Sequence, residues 1–243
     1  MNQGNLKVLL GSPVRQKAEI LRSFLLSIKE LRRGELLSID CFFVDDNVEE
    51  ESSQLLVRFA EENPDTILMP AGDDRPYICN ESTHVWEEDL IWKVAEFKNL
   101  MIEEALNKDY DYLFLVDSDL VLHPKTLEHL VNLNKDIVSE IFWTKWEPGF
   151  PELPQVWVSD QYNLYSSSRE ESLTEKEILK RVQSFINKLK VPGVYRVGGL
   201  GACTLISKKA LRAGVNFREI YNISFVGEDR HFCIRAAALG FQL

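Results

Sequence analysis

Asp117 and Asp119 stand one residue apart at the end of an apolar run, residues 112–116, with His123 and Pro124 close behind. Carboxylates are the oxygen donors that hard divalent cations take, so the pair suits a cation, or a cation together with a ribose hydroxyl. On an extended chain alternate residues point to one side, about 6.5–7 Å apart, and both acids are expected to address one ligand. Like charges this close raise each other's pKa unless a cation or hydrogen-bond donors compensate. Asp is also a poor strand former, so local propensity does not account for the pair. The spacing predicts a binding site at the end of that strand. Two further acidic pairs occupy comparable places: Asp45 and Asp46 close another apolar run, and Glu228 and Asp229 follow Gly227 at the start of the last helical pattern. Acids are favoured at a helix N-terminus by the dipole alone. A carboxylate held there can also accept a proton from a hydroxyl group.

The chain that must position these groups has 243 residues, enough apolar content for a sizeable core, and a formal net charge of −10. That length suits one large domain, and nothing along it reads as an internal repeat or an interdomain linker. An acidic balance argues against nucleic acid as a partner, because phosphate backbones are held by clustered Lys and Arg. A small phosphorylated ligand remains compatible, provided a metal ion accompanies it to the acids. No stretch approaches the roughly 18 apolar residues of a membrane span. The opening residues lack the layout of a signal peptide. Cys41, Cys79, Cys203 and Cys233 are scattered without paired spacing and read as reduced thiols of a cytoplasmic protein.

Short apolar strands alternate with amphipathic helices, the signature of α/β architecture. Strands are expected over residues 6–10, 38–44, 66–69, 112–116 and 136–143. Helices are expected over 17–32, from Ser52 or Ser53 as cap, over 86–107, and from Pro124 in the first turn of the next. Leu90, Val94, Phe97 and Met101 recur at core spacing and read as core packing. Residues 144–160, rich in Trp and Pro, form a rigid loop or edge, and residues 166–175 are polar and acidic. Thr174 with Glu177 forms a capping box for a further helix. Gly198, Gly199 and Gly201 precede a strand, the wrong order for a dinucleotide fingerprint, and point to close backbone approach instead.

The order of these motifs resembles the GT-A glycosyltransferases, and most of all their family-2-like inverting group. The features that carry the resemblance are the Ser12-Pro13-Val14-Arg15-Gln16 turn, a strand closed by Val44-Asp45-Asp46, Asp117-Ser118-Asp119, a strand containing Gly201-Ala202, and Gly227-Glu228-Asp229-Arg230. It covers essentially the whole chain and is weakest over residues 144–195. It implies a Rossmann-like, mostly parallel sheet that binds a nucleoside diphosphate sugar and transfers the sugar to an acceptor hydroxyl. Mn2+ or Mg2+ would be held by Asp119, with Asp117 touching the ribose or the metal beside Ser118. Ser12, Pro13 and Arg15 would form the nucleotide loop, and Asp45 the nucleobase or ribose contact. Asp229 would be the catalytic base, with Glu228 orienting acceptor or metal.

Trp143, Trp146, Trp157, Gly199 and His231 fall toward the acceptor side, although plain packing accounts for the tryptophans nearly as well. His123 suits a capping role better than metal ligation. Family members often carry a metal-binding His beyond the acidic helix. This sequence ends at Leu243 before such a residue, as a truncated catalytic domain would. Two other readings stay open: a sugar nucleotidyltransferase, for which Gly11 to Arg15 is a poor match to the usual Gly-rich basic motif, and a non-catalytic nucleotide-sugar binder.

Overall fold

The computed structural model describes residues 5–31, 37–72, 88–145, 149–224 and 227–243. A six-stranded sheet runs in the order β3-β2-β1-β4-β10-β5. Its parallel half comprises β1 (Leu6–Val14), β2 (Leu37–Asp45), β3 (Thr66–Pro70) and β4 (Tyr112–Val116). The reversed strand β10 (Cys203–Ser207) lies between β4 and β5 (Ile137–Ser139), antiparallel to both. The class is therefore mixed α/β with a mostly parallel sheet, as the sequence pattern implies.

Alternation along the strands divides the core between two faces. Leu9, Phe42, Val44, Leu113 and Leu115 pack on one side, with α3 (Glu88–Asn107), α6 (Lys208–Arg212) and α7 (Glu228–Ala238). Val8, Leu10, Phe43, Phe114 and Val116 pack on the other, with α1 (Ala18–Lys29), α2 (Glu50–Glu62) and α4 (Thr126–Asn132). Burial of Leu21, Leu25, Ile28 and Leu31 follows the stripe read from the sequence. No helix among the described residues is long and apolar enough to cross a membrane. Cys41, Cys203 and Cys233 are buried, and Cys203 and Cys233 are free.

Several local expectations are corrected. Ser52 does not cap α2, which starts at Glu50; its hydroxyl donates to the Gln16 carbonyl at 2.7 Å and ties the helix to the loop after β1. Pro124 lies ahead of α4, and Thr126 N donates to the His123 carbonyl at 2.9 Å in the turn that precedes the helix. The strand expected over 136–143 is broken after Ser139. Trp143–Thr144 (β6) leaves the main sheet and pairs with Leu153–Pro154 (β7), while Val156–Trp157 (β8) pairs with Gly199–Leu200 (β9). Helix α5 (Glu175–Leu189) begins at the Thr174–Glu177 capping box. Trp146, Cys79 and most of the loop over 70–85 lie outside the described residues.

Candidate active site

Strand β4 ends where its ladder with β10 ends, and the chain turns at once. Asp117 N donates to the Ala202 carbonyl at 2.8 Å, and Leu120 N donates back to the Asp117 carbonyl at 3.2 Å. The two acids therefore flank a tight turn rather than sit on an extended segment. Asp117 is half-buried against the sheet, whereas Asp119 is exposed. Both line one cavity of about 610 Å³ at the carboxyl end of the parallel strands, the usual ligand position in open α/β sheets.

The same cavity is lined by Glu228 and Asp229 from the first turn of α7. Gly201 permits their approach, because a Cβ there would strike the Asp229 carboxylate. From the β1 side come Pro13, Arg15 and Asp46, and from α3 come Leu90, Ile91, Val94, Phe97 and Lys98. The insertion between β5 and β10 supplies Trp157 and Tyr162, whose rings lie 4.2 Å apart between centroids. Leu90, Val94 and Phe97 thus belong to the cavity wall, which corrects their reading as core and nothing more.

Lys98 sits among the acids. It is 5% exposed, and its Nζ donates to Glu228 Oε1 at 2.9 Å and to Asp229 Oδ1 at 3.0 Å. Burial draws its pKa down, but Asp229, Glu228 and Asp117 together hold it well above the ordinary value. Burial pushes the Asp117 carboxyl up to about 8; Lys98 opposes the rise, and Asp119, Asp229 and Glu228 reinforce it. Burial likewise lifts Asp229 to about 6, against Lys98 and with Glu228. Five carboxylates thus line the cavity; the Lys98 ammonium pairs with two of them, Glu228 and Asp229, and Arg15 pairs with Asp46 at 3.2 Å.

Among the described residues no three His, Cys, Asp or Glu side chains are gathered to hold a metal ion. Two oxygen donors, Asp117 and Asp119, nevertheless line one cavity with Glu228 and Asp229. Such a donor set fits Mg2+ or Mn2+ when ligand oxygens complete the shell.

The remaining residues singled out from sequence fall elsewhere, Ser118 excepted. Ser12 is fully buried, and its hydroxyl meets the Pro13 carbonyl at 3.3 Å. Asp45 accepts from Asn47 N at 3.1 Å and Asn47 Nδ2 at 2.7 Å, holding the turn after β2, while its neighbour Asp46 faces the cavity and also takes Lys93 Nζ at 2.7 Å. Ser118 is buried and lines the cavity. Trp143 is half-buried beside the core, with Lys190 Nζ 5.9 Å from its ring centroid, and does not line the cavity. Gly199 gives its space to the Trp157 indole. His231 is buried, accepts from Ile220 N at 2.9 Å through Nδ1, and packs edge-on to Trp92; burial lowers its pKa. His123 Nδ1 accepts from Lys125 N at 3.2 Å in the turn before α4.

Sequence reasoning missed Lys98 and Tyr162, and it assigned to Asp45 the place at the cavity that Asp46 holds. Lys98 had a signal: it falls on the stripe of Leu90, Val94 and Met101, where an unpaired ammonium is rarely buried.

No protein-family model and no curated protein matches the sequence. Solved structures do share its architecture. Residues 1–349 of S. aureus TarS align over 95% of this chain and 55% of theirs, at 14% identity and a TM-score of 0.51. A longer S. aureus TarS chain gives 96%, 34%, 10% and 0.50. Mannosyltransferase PcManGT from Pyrobaculum calidifontis, in complex with GDP-Man and Mn2+, aligns over 98% of this chain and 54% of its own, at 15% identity and a TM-score of 0.49. The chain spans about half the length of TarS 1–349 and of PcManGT, and about a third of the longer TarS chain. The fold is GT-A-like, of the kind glycosyltransferases use.

Proposed function

We propose that the protein is a glycosyltransferase that moves a sugar from a nucleoside diphosphate sugar to an acceptor hydroxyl, with a divalent metal and with inversion. One observation carries the reading: two acidic pairs more than a hundred residues apart, Asp117 with Asp119 and Glu228 with Asp229, converge on a single cavity. The chain acts as one catalytic domain, and the buried free thiols of Cys203 and Cys233 suit a reducing compartment such as the cytoplasm.

Pro13, Arg15 and Asp46 border the nucleotide end of the cavity, and Asp119, with Asp117 behind it, would hold Mg2+ or Mn2+. When bound, such an ion supplies Lewis-acid stabilisation of charge on the departing diphosphate. Asp229 accepts the proton of the attacking hydroxyl as the new oxygen–carbon bond forms. The bond from the anomeric carbon to the phosphate oxygen breaks, and its electron pair leaves with the nucleoside diphosphate. A carboxyl lifted to about 6 suits this role, since a base works best when its pKa lies near the working pH. Glu228 steadies the acceptor. Trp157 and Tyr162 offer aromatic faces to a sugar ring on that side.

Nucleoside diphosphate release from UDP-, GDP-, dTDP- and CDP-sugars, with Mn2+ and with EDTA, tests the reading. Turnover that needs the ion and falls in Asp119→Ala supports it. Undiminished turnover in excess chelator sinks the metal role. Tight nucleotide binding with no release from any donor leaves a passive binder.

A further inference from the structure

Lys98 is buried in the middle of the site, and the transfer chemistry derived above gives it no part. An ammonium has three N–H donors. Two are committed to Glu228 Oε1 at 2.9 Å and Asp229 Oδ1 at 3.0 Å, on the same turn of α7. The charged groups around Nζ come from several elements: Glu228 and Asp229 from α7, and Asp117 from the end of β4. Phe217 floors the site, with Nζ 4.9 Å from its ring centroid. Tyr162, from the insertion, lines the same cavity.

The helix that carries Lys98 is tied down beside it. Its neighbour Asn99 accepts from Phe217 N at 2.8 Å, which anchors this part of α3 to the segment leading into α7. Gly201 lies against the opposite edge of the Asp229 carboxylate. The Asp229 carboxylate is thus gripped between a fixed cation and a bare backbone, with little freedom to rotate.

Accepting that the protein is a glycosyltransferase, we propose that Lys98 is a positioning residue: through its two hydrogen bonds it holds Asp229 and Glu228 in the one arrangement that presents the base to the acceptor hydroxyl. A loose carboxylate would spend most of its time misaligned, and misplacement by an ångström is costly to a proton transfer. A neighbouring cation within hydrogen-bond range also keeps Asp229 ionised at a lower pH than burial alone would allow.

The test compares wild type, Lys98→Met and Lys98→Arg. Nucleoside diphosphate binding with Mn2+ is measured by calorimetry, and turnover is followed across pH 5–9. Lys98→Met should keep nucleotide affinity within a few-fold and lose about 100-fold in kcat. Its acid limb should move up by about one pH unit. Lys98→Arg, which keeps the charge and the donors, should recover most of both. Turnover within a few-fold of wild type in Lys98→Met, or a loss with an unmoved acid limb and no recovery in Arg, overturns the proposal. A second readout does not depend on turnover: carbon-13 titration of the Asp229 carboxyl should show its midpoint rising in Lys98→Met. An unmoved midpoint overturns the proposal even if wild type transfers nothing. Inactive wild type with a raised midpoint instead removes the glycosyltransferase reading and leaves the grip of Lys98 intact.

Discussion

Replacing Asp229 with Asn should move activity and stability in opposite directions. Burial, opposed by Lys98 and reinforced by Glu228, lifts this carboxyl from the ordinary 3.8 to about 6. The unfolded chain restores the ordinary value, so between those limits the folded protein keeps a proton that the unfolded chain has released. A raised carboxyl pKa therefore weakens folding as pH climbs through the window, and the cost is complete above about pH 6. A shift of about two units corresponds to roughly 3 kcal/mol. Asn imitates the protonated form and removes that cost, while Lys98 keeps Glu228 as its partner at 2.9 Å. Urea unfolding at pH 8 should show a gain of about 1–3 kcal/mol, shrinking toward zero near pH 4. Turnover should fall by about 10²–10⁴-fold with nucleotide binding retained. An Asn variant that is less stable at pH 8, or whose gain ignores pH, refutes the electrostatic account. Near-normal donor turnover in the same variant refutes Asp229 as the base.

Wild-type turnover should itself decline as pH falls through about 6, the point at which Asp229 takes up its proton, and a pH-rate profile checks this. Gly199→Ala should cost about 1–3 kcal/mol in urea unfolding, because the added methyl meets the buried Trp157 indole across the β8–β9 pair. Thr174→Ala should lose both halves of the capping box and about 1 kcal/mol, seen as faster amide exchange in the first turn of α5.

What the sequence disclosed was local. The apolar run before Asp117, the capping box at Thr174 and the stripe through Leu21, Leu25, Ile28 and Leu31 each depend on neighbours a few residues away, and each stands where the pattern places it. The parallel order of the first strands likewise follows from strands alternating with helices. Pairings set by distant partners were not legible. Trp143 leaves the strand it was assigned to because Pro154, eleven residues on, is its ladder partner. Asp46, one residue beyond the acid that the motif singled out, is drawn to the cavity by Arg15 and Lys93, and Lys93 is 47 positions away. Lys98 was not singled out because its partners lie on α7, 130 and 131 positions away.

The bond between Lys98 and Asp229 bridges 131 positions. Closing a loop of this size costs chain entropy that the contacts of α7 with the rest of the fold must offset. The strands that border the nucleotide end are finished by β4, whereas the acids of α7 arrive only when the final helix docks. Glu228, Asp229 and both hydrogen-bond partners of Lys98 therefore enter the cavity on one eleven-residue helix, and its docking completes the proposed site. In a denaturant titration, turnover should vanish before the far-ultraviolet signal of the sheet begins to fall.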